Sequence, residues 1–221
     1  MTGLHEGQPV LATGEPLASA TAALVLVHGR GSSATNILQL GAEASVPGLA
    51  LLAPQAAGGS WYPLGFMEPI KSNEPWLHSA LGVLAGLLEQ VEKTIPITSV
   101  GLLGFSQGAC LTLEFTARNA RRYGGIVGIS GGLIGPDGTP RDYQGSLAGT
   151  PVFLGCSDVD PHIPLSRVMH TAEVLRSLGG DVSVQIYPGL GHEVNADEIR
   201  VVRRMVAALP RRDSVGEAAA G

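Results

Sequence analysis

With 221 residues the chain can bury one substantial core, and its net charge of −5 is carried without long acidic runs. The basic residues are scattered apart from three Arg-Arg pairs, so nothing resembles an electrostatic footprint for nucleic acid, and no apolar run approaches the roughly 18 residues that span a bilayer. Two cysteines are too few for a disulfide framework, and Cys110 and Cys156 read as small packing residues.

In chain order, residues 17–27 are apolar, yet no Lys or Arg precedes Arg30 and Glu6 and Glu15 flank the run, so it reads as a first buried strand at 22–27. No export signal is read there, and the expected location is cytoplasmic. Further strand-length apolar runs recur at 49–52, 99–104, 126–129, 151–154 and 182–187. Between them lie helical patterns at 74–94, with Pro75 suited to a first turn, and at 107–120, 165–178 and 196–209. Strands alternating with helices predict an α/β fold with a mostly parallel sheet covered on both faces. Two connections, 56–73 and 131–150, are long and rich in Gly and Pro, and the first carries Trp61, Tyr62, Phe66 and Met67. Long loops in a compact domain are often functional, so these aromatics are candidates for walling a substrate pocket. Residues 1–210 are expected to form one domain, and 211–221, which lack periodicity, a disordered tail.

Gly104-Phe105-Ser106-Gln107-Gly108 places a serine between two glycines where a buried strand stops and a helix starts. That context suits a nucleophile elbow, whose sharp turn exposes the hydroxyl and leaves no room for Cβ atoms two residues either side. With 16 serines and 31 glycines, chance matches are common, and a second one occurs at Gly128-Ile129-Ser130-Gly131-Gly132. The stretch after Ser130 is too rich in Gly and Pro to start a helix, so Ser130 reads as a strand end.

A serine hydroxyl needs a base to remove its proton, and the base needs an acid to fix its tautomer. In α/β-hydrolase folds, which carry the nucleophile on such an elbow, the chain order is serine, carboxylate, histidine, each on a loop after a strand. Asp158 and Asp160 follow the strand at 151–154, and His192 follows the strand ending at Tyr187. The other histidines (His5, His28, His78, His162 and His170) read as surface, packing or loop-bracing residues. The spacing Asp158, Asp160, His162 does not continue into a fourth, separated ligand, which argues against a zinc site. One oxyanion-hole amide is expected from Gln107 and another from the glycine-rich turn Val27-His28-Gly29-Arg30-Gly31-Ser32.

Taken together, LVHGRG, APQA, SWY, GFSQG, DPHIP and GLGH resemble the phospholipase/carboxylesterase family of α/β hydrolases, over about residues 24–209. The resemblance implies an α/β-hydrolase fold with little or no lid. It also implies a triad of Ser106, Asp160 and His192, oxyanion amides from Arg30 and Gln107, and a substrate-binding wall of Trp61, Tyr62 and Phe66. The sequence departs from the family at Cys156-Ser157, where relatives commonly carry His-Gly, and at Arg30, where many carry an apolar residue. Long charged side chains usually stay solvated, so Arg30 is expected to turn to solvent, the alternative being that it places a guanidinium near an acidic substrate group. The function expected is a serine carboxylesterase acting on short to medium acyl esters, with thioesters as a second class, and needing no cofactor or metal. Its partner is a small-molecule ester, and a homodimer is left open. The alternatives are a catalytically silent domain that binds a small molecule or partner, and a dienelactone-hydrolase-like enzyme.

Overall fold

The structure, a computed structural model, describes residues 4–212. Seven strands form one sheet: β1 (Val10–Gly14), β2 (Ala22–Val27), β3 (Leu49–Pro54), β4 (Val100–Phe105), β5 (Gly125–Ile129), β6 (Pro151–Ser157) and β7 (Asp181–Tyr187). Their spatial order is β1-β3-β2-β4-β5-β6-β7, parallel throughout except for β1, which runs antiparallel to β3. Every predicted strand is present, and β6 runs three residues beyond its expected end, to Ser157.

Successive side chains on a strand point to opposite faces, so each apolar run feeds two cores. Ala23, Val25, Val27, Val100, Leu102, Val152 and Leu154 pack with α2 (Trp76–Glu92), α3 (Gln107–Arg118) and α4 (Leu165–Ser177). Ala22, Leu24, Leu26, Leu49, Leu51, Leu103 and Phe153 pack with α1 (Ala34–Glu43) and α5 (Ala196–Ala207) on the other face.

Two elements were not predicted. Strand β1 is exposed along its whole length and owes its conformation to its pairing with β3, forty residues away, which no local pattern announces. Helix α1 does carry a readable pattern: Ser33 caps it, its Oγ accepting from the Asn36 N–H, and Ala34, Ile37, Leu38 and Gly41 form its buried stripe. Burying Ile37 and Leu38 contributes about 1.5–3 kcal/mol each and holds the helix to the sheet.

The predicted tail begins otherwise than expected. Arg212 donates its backbone N–H to Thr21 O at 2.9 Å and its Nε to Ala20 O at 2.6 Å, which pins the chain beside the start of β2. The remainder of that tail, 213–221, lies outside the described residues. Cys110 and Cys156 are both buried and unpaired, as expected of packing residues.

Candidate active site

Parallel strands β2, β4, β6 and β7 all deliver their carboxyl ends to one edge of the sheet, where their loops meet. Ser106 occupies the turn from β4 into α3 with φ 56° and ψ −122°, a conformation that strains any residue with a Cβ. The turn is held by Ser106 N–H donating to Ile129 O at 2.9 Å. Its two glycines are required by close approach of backbone. A Cβ on Gly104 would lie 2.3 Å from Gly108 O, and one on Gly108 would lie 2.1 Å from Val27 O and 2.5 Å from His28 O. Ser130 is buried at the end of β5, its N–H donating to Gly155 O, in keeping with a strand end.

The three loops bring Ser106, His192 and Asp160 into one hydrogen-bonded chain. The Ser106 hydroxyl donates to His192 Nε2 at 2.8 Å, and His192 Nδ1–H donates to Asp160 Oδ2 at 2.8 Å. The Asp160 side chain is 0% exposed, and its Oδ1 accepts from the His162 N–H at 2.8 Å and the Ile163 N–H at 3.0 Å. Burial works to raise its pKa, but the His192 hydrogen bond and those two backbone donors prevail and hold it below the ordinary value. Asp158 makes a different contact: its Oδ1 accepts from Gly189 N–H at 2.8 Å, while Ser157 Oγ accepts from Gly191 N–H at 3.1 Å. Both residues tie down the histidine loop. The Asp158 and Asp160 carboxylates thus have separate partners, and no cluster of three or more metal-ligating side chains occurs among the described residues.

The turn after β2 passes beside the elbow, close enough that a Cβ on Gly29 would sit 3.3 Å from the Ser106 Cβ. Among the described residues the backbone N–H groups of Arg30 and Gln107 have no acceptor, and Gln107 opens α3, where helical amides lack intrahelical partners. His28 braces this turn as expected. It is fully buried, its Nε2 accepts from Ala56 N–H at 3.1 Å, and its Nδ1–H therefore donates to Gly29 O at 2.8 Å. Burial lowers its pKa and keeps the ring neutral.

A cleft of about 340 Å³ opens over Ser106. Tyr62, Phe66, Cys110 and Ile163 give it apolar walls, and Arg30 and His162 stand at its polar side. Trp61, expected in the wall, is not among the lining residues. It is 0% exposed, its Nε1–H donates to His28 O at 2.8 Å, and its ring lies against His5 and His28, behind the wall that Tyr62 forms. Arg30 is exposed, as expected, but its side chain is also anchored. Its Nη1 donates to Pro63 O at 2.8 Å and Nη2 to Leu64 O at 2.5 Å, so the guanidinium straps the aromatic loop and borders the cleft.

Three contributors escaped the sequence reading. Cys110 lies four residues after Ser106 on α3, hence on the same helical face, and burial pushes its thiol up to about 12, which makes it an inert wall. His162 lies two residues past Asp160, and its ring meets that of His192 edge-on at 4.8 Å. The Gln107 side chain clamps the aromatic loop, Oε1 accepting from Trp61 N–H at 2.9 Å and Nε2 donating to Tyr62 O at 2.8 Å. No local pattern discloses that last contact.

Residues 9–209 match the family model for phospholipase/carboxylesterase proteins. Among solved structures, a phospholipase/carboxylesterase from Dyadobacter fermentans is 40% identical, covering 94% of this chain and 98% of its own with a TM-score of 0.88. Esterase PE8 is 25% identical, covering 91% of this chain and 98% of its own with a TM-score of 0.73. Acyl-protein thioesterase 1 of Debaryomyces hansenii is 28% identical, over 90% of this chain and 94% of its own length. An α/β sheet with a strained serine elbow and a match spanning nearly the whole chain lead to one conclusion: the chain belongs to the phospholipase/carboxylesterase family, whose members hydrolyse carboxylic esters.

Proposed function

We propose that this ester hydrolase works through an acyl-enzyme formed on Ser106, with His192 as general base and Asp160 as the acid that orients it. The observation that carries this reading is the unbroken chain Ser106–His192–Asp160, with both hydrogen bonds at 2.8 Å. In acylation, His192 takes the Ser106 proton as Oγ attacks the carbonyl carbon, then returns it to the leaving alcohol or thiol. In deacylation, the same ring activates water. Asp160 keeps Nδ1 protonated, which leaves Nε2 free to accept, and stabilises the imidazolium. The oxyanion is received by the free N–H groups of Arg30 and Gln107, each contributing about 2.7–4 kcal/mol to the transition state.

Tyr62 and Phe66 wall a cleft of about 340 Å³, which supports short to medium acyl groups as the first substrate class. Thioesters form the second substrate class, since the tetrahedral chemistry is shared and relatives carry the name acyl-protein thioesterase. Among the described residues no helix is long and apolar enough to cross a membrane, and two unpaired thiols suit a reducing, cytoplasmic setting. A fluorophosphonate probe tests the proposal. The wild-type protein is expected to be labelled and Ser106→Ala is not; a folded wild type that resists labelling would overturn the mechanism.

A further inference from the structure

The cleft over Ser106 has a charge unlike that of the molecule. The chain carries −5 overall, yet the residues bordering the cleft include one guanidinium and two imidazoles and no carboxylate. Asp160, the acid that pairs with His192, has a fully buried side chain and does not border the cleft. Arg30 is the source of the imbalance. It is exposed and, among the described residues, joins no ion pair, whereas buried Arg167 pairs with Asp137 at 2.7 Å and half-buried Arg141 with Glu114 at 3.5 Å.

Arg30 is also held still. Two of its five N–H donors are committed to the carbonyls of Pro63 and Leu64, and the guanidinium lies 5.9 Å from the centroid of the Tyr62 ring. Carbonyl acceptors fix its position without cancelling its charge, and the remaining donors have no partner among the described residues. A fixed guanidinium with free donors is suited to bind a carboxylate, for the ordering entropy is already spent on the strap. The backbone N–H of the same residue is the proposed oxyanion donor, so the cation stands one side chain away from the scissile carbonyl. His162 offers a further ring N–H from the His192 side of the cleft.

We propose that the preferred substrates are esters bearing a carboxylate near the scissile bond, bound through the strapped guanidinium of Arg30. The proposal rests on the esterase reading above and names its substrate class. A charge-assisted contact of this kind, partly exposed, is expected to give a preference of roughly 10- to 100-fold in kcat/KM.

The test compares each anionic ester with a neutral ester of the same shape. Methyl hydrogen glutarate against methyl 5-methylhexanoate places the carboxylate on the acyl side; 4-acetoxybenzoate against 4-isopropylphenyl acetate places it on the leaving group. A wild-type ratio of 10 or more in either pair is expected, shrinking as NaCl rises from 0.05 to 0.5 M. In Arg30→Met the ratio is expected to fall to about 1. Any displacement of the loop caused by losing the strap acts on both esters and cancels in the ratio, so a purely structural arginine would leave the ratio unchanged. Ratios near 1 in both wild-type pairs, or a ratio that survives Arg30→Met, would overturn the proposal while leaving the esterase intact. Should Arg30→Met not fold, Arg30→Lys and the salt dependence of the wild type decide: a salt-independent ratio counts against the guanidinium. Failure to cleave any of the four esters, together with absent fluorophosphonate labelling, identifies instead a failure of the esterase reading.

Discussion

Replacing Glu198 by Gln should abolish a loss of stability that the wild type suffers as pH rises from 4.5 to about 7. Glu198 is the third residue of α5 and 0% exposed; its Oε2 accepts from Asn195 N–H at 2.9 Å, completing a capping box. Its Oε1 has no partner and packs against Gly155, where an added Cβ would come within 2.2 Å of it. Burial is the main cause that pushes this carboxyl up from 4.5 to about 7; the Asn195 N–H opposes it and the charge of Asp197 adds to it. The folded pKa is therefore raised. As pH climbs past 4.5 the unfolded chain releases this proton while the folded protein keeps it until about 7, so the stability is full below 4.5 and lost progressively up to 7. At 1.36 kcal/mol per unit, that shift corresponds to about 3 kcal/mol. Gln keeps the acceptor for Asn195 and removes the titration. Its amide N–H groups, like Oε1, face no partner, which adds an offset independent of pH. Between pH 4.5 and 8 the variant should gain about 3 kcal/mol on the wild type, or roughly 6–12 °C in Tm for a chain of this size. Thermal unfolding followed by circular dichroism across that range measures it, and parallel Tm-against-pH curves for the two proteins would refute the argument.

Three further substitutions test the site. Asp160→Asn should lower kcat on p-nitrophenyl acetate by about three to four orders of magnitude, because an amide beside Nδ1 favours the wrong imidazole tautomer. Asp158→Asn, which can still accept from Gly189 N–H, should stay within a few-fold of wild type; the reverse ranking would reassign the acid. Gly108→Ala forces a Cβ to within 2.1 Å of Val27 O, so α3 must withdraw from the end of β2. It should cost about 1–3 kcal/mol in urea unfolding and separate the Gln107 and Arg30 amides, with a loss of at least 10-fold in kcat.

The parts of this site that can be read from the chain are those whose geometry is made locally. Gly104 and Gly108 are glycines because backbone atoms within the elbow and at the end of β2 leave no room for a Cβ, so the requirement is written at fixed offsets from Ser106. The loops after β4, β6 and β7 meet because parallel strands deliver their ends to one edge, so alternation of strands and helices brings Ser106, the Asp158–Asp160 turn and His192 together, while the choice of Asp160 comes from the family resemblance. The cleft is a different matter. Its wall is the loop between β3 and α2, and that loop is held almost entirely by distant donors and acceptors. His5 Nε2–H donates to Trp61 O at 2.9 Å while its Nδ1 accepts from Ala57 N–H at 3.0 Å; Gln107 grips Trp61 and Tyr62; Asn73 Oδ1 accepts from Leu64 N–H at 2.9 Å. A histidine in the N-terminal stretch reads as an idle side chain until the loop it supports is in place. The same holds for Arg30, which stays exposed as expected but is anchored because Pro63 and Leu64 turn their carbonyls toward it. These contacts follow no periodicity, since each joins one polar side chain to the backbone of an irregular segment. The geometry around Ser106 is therefore legible here in local motifs, whereas the cleft wall is set by hydrogen bonds to a loop that no local pattern announces. The Arg30 esters probe that second layer, which Ser106, His192 and Asp160 leave undetermined.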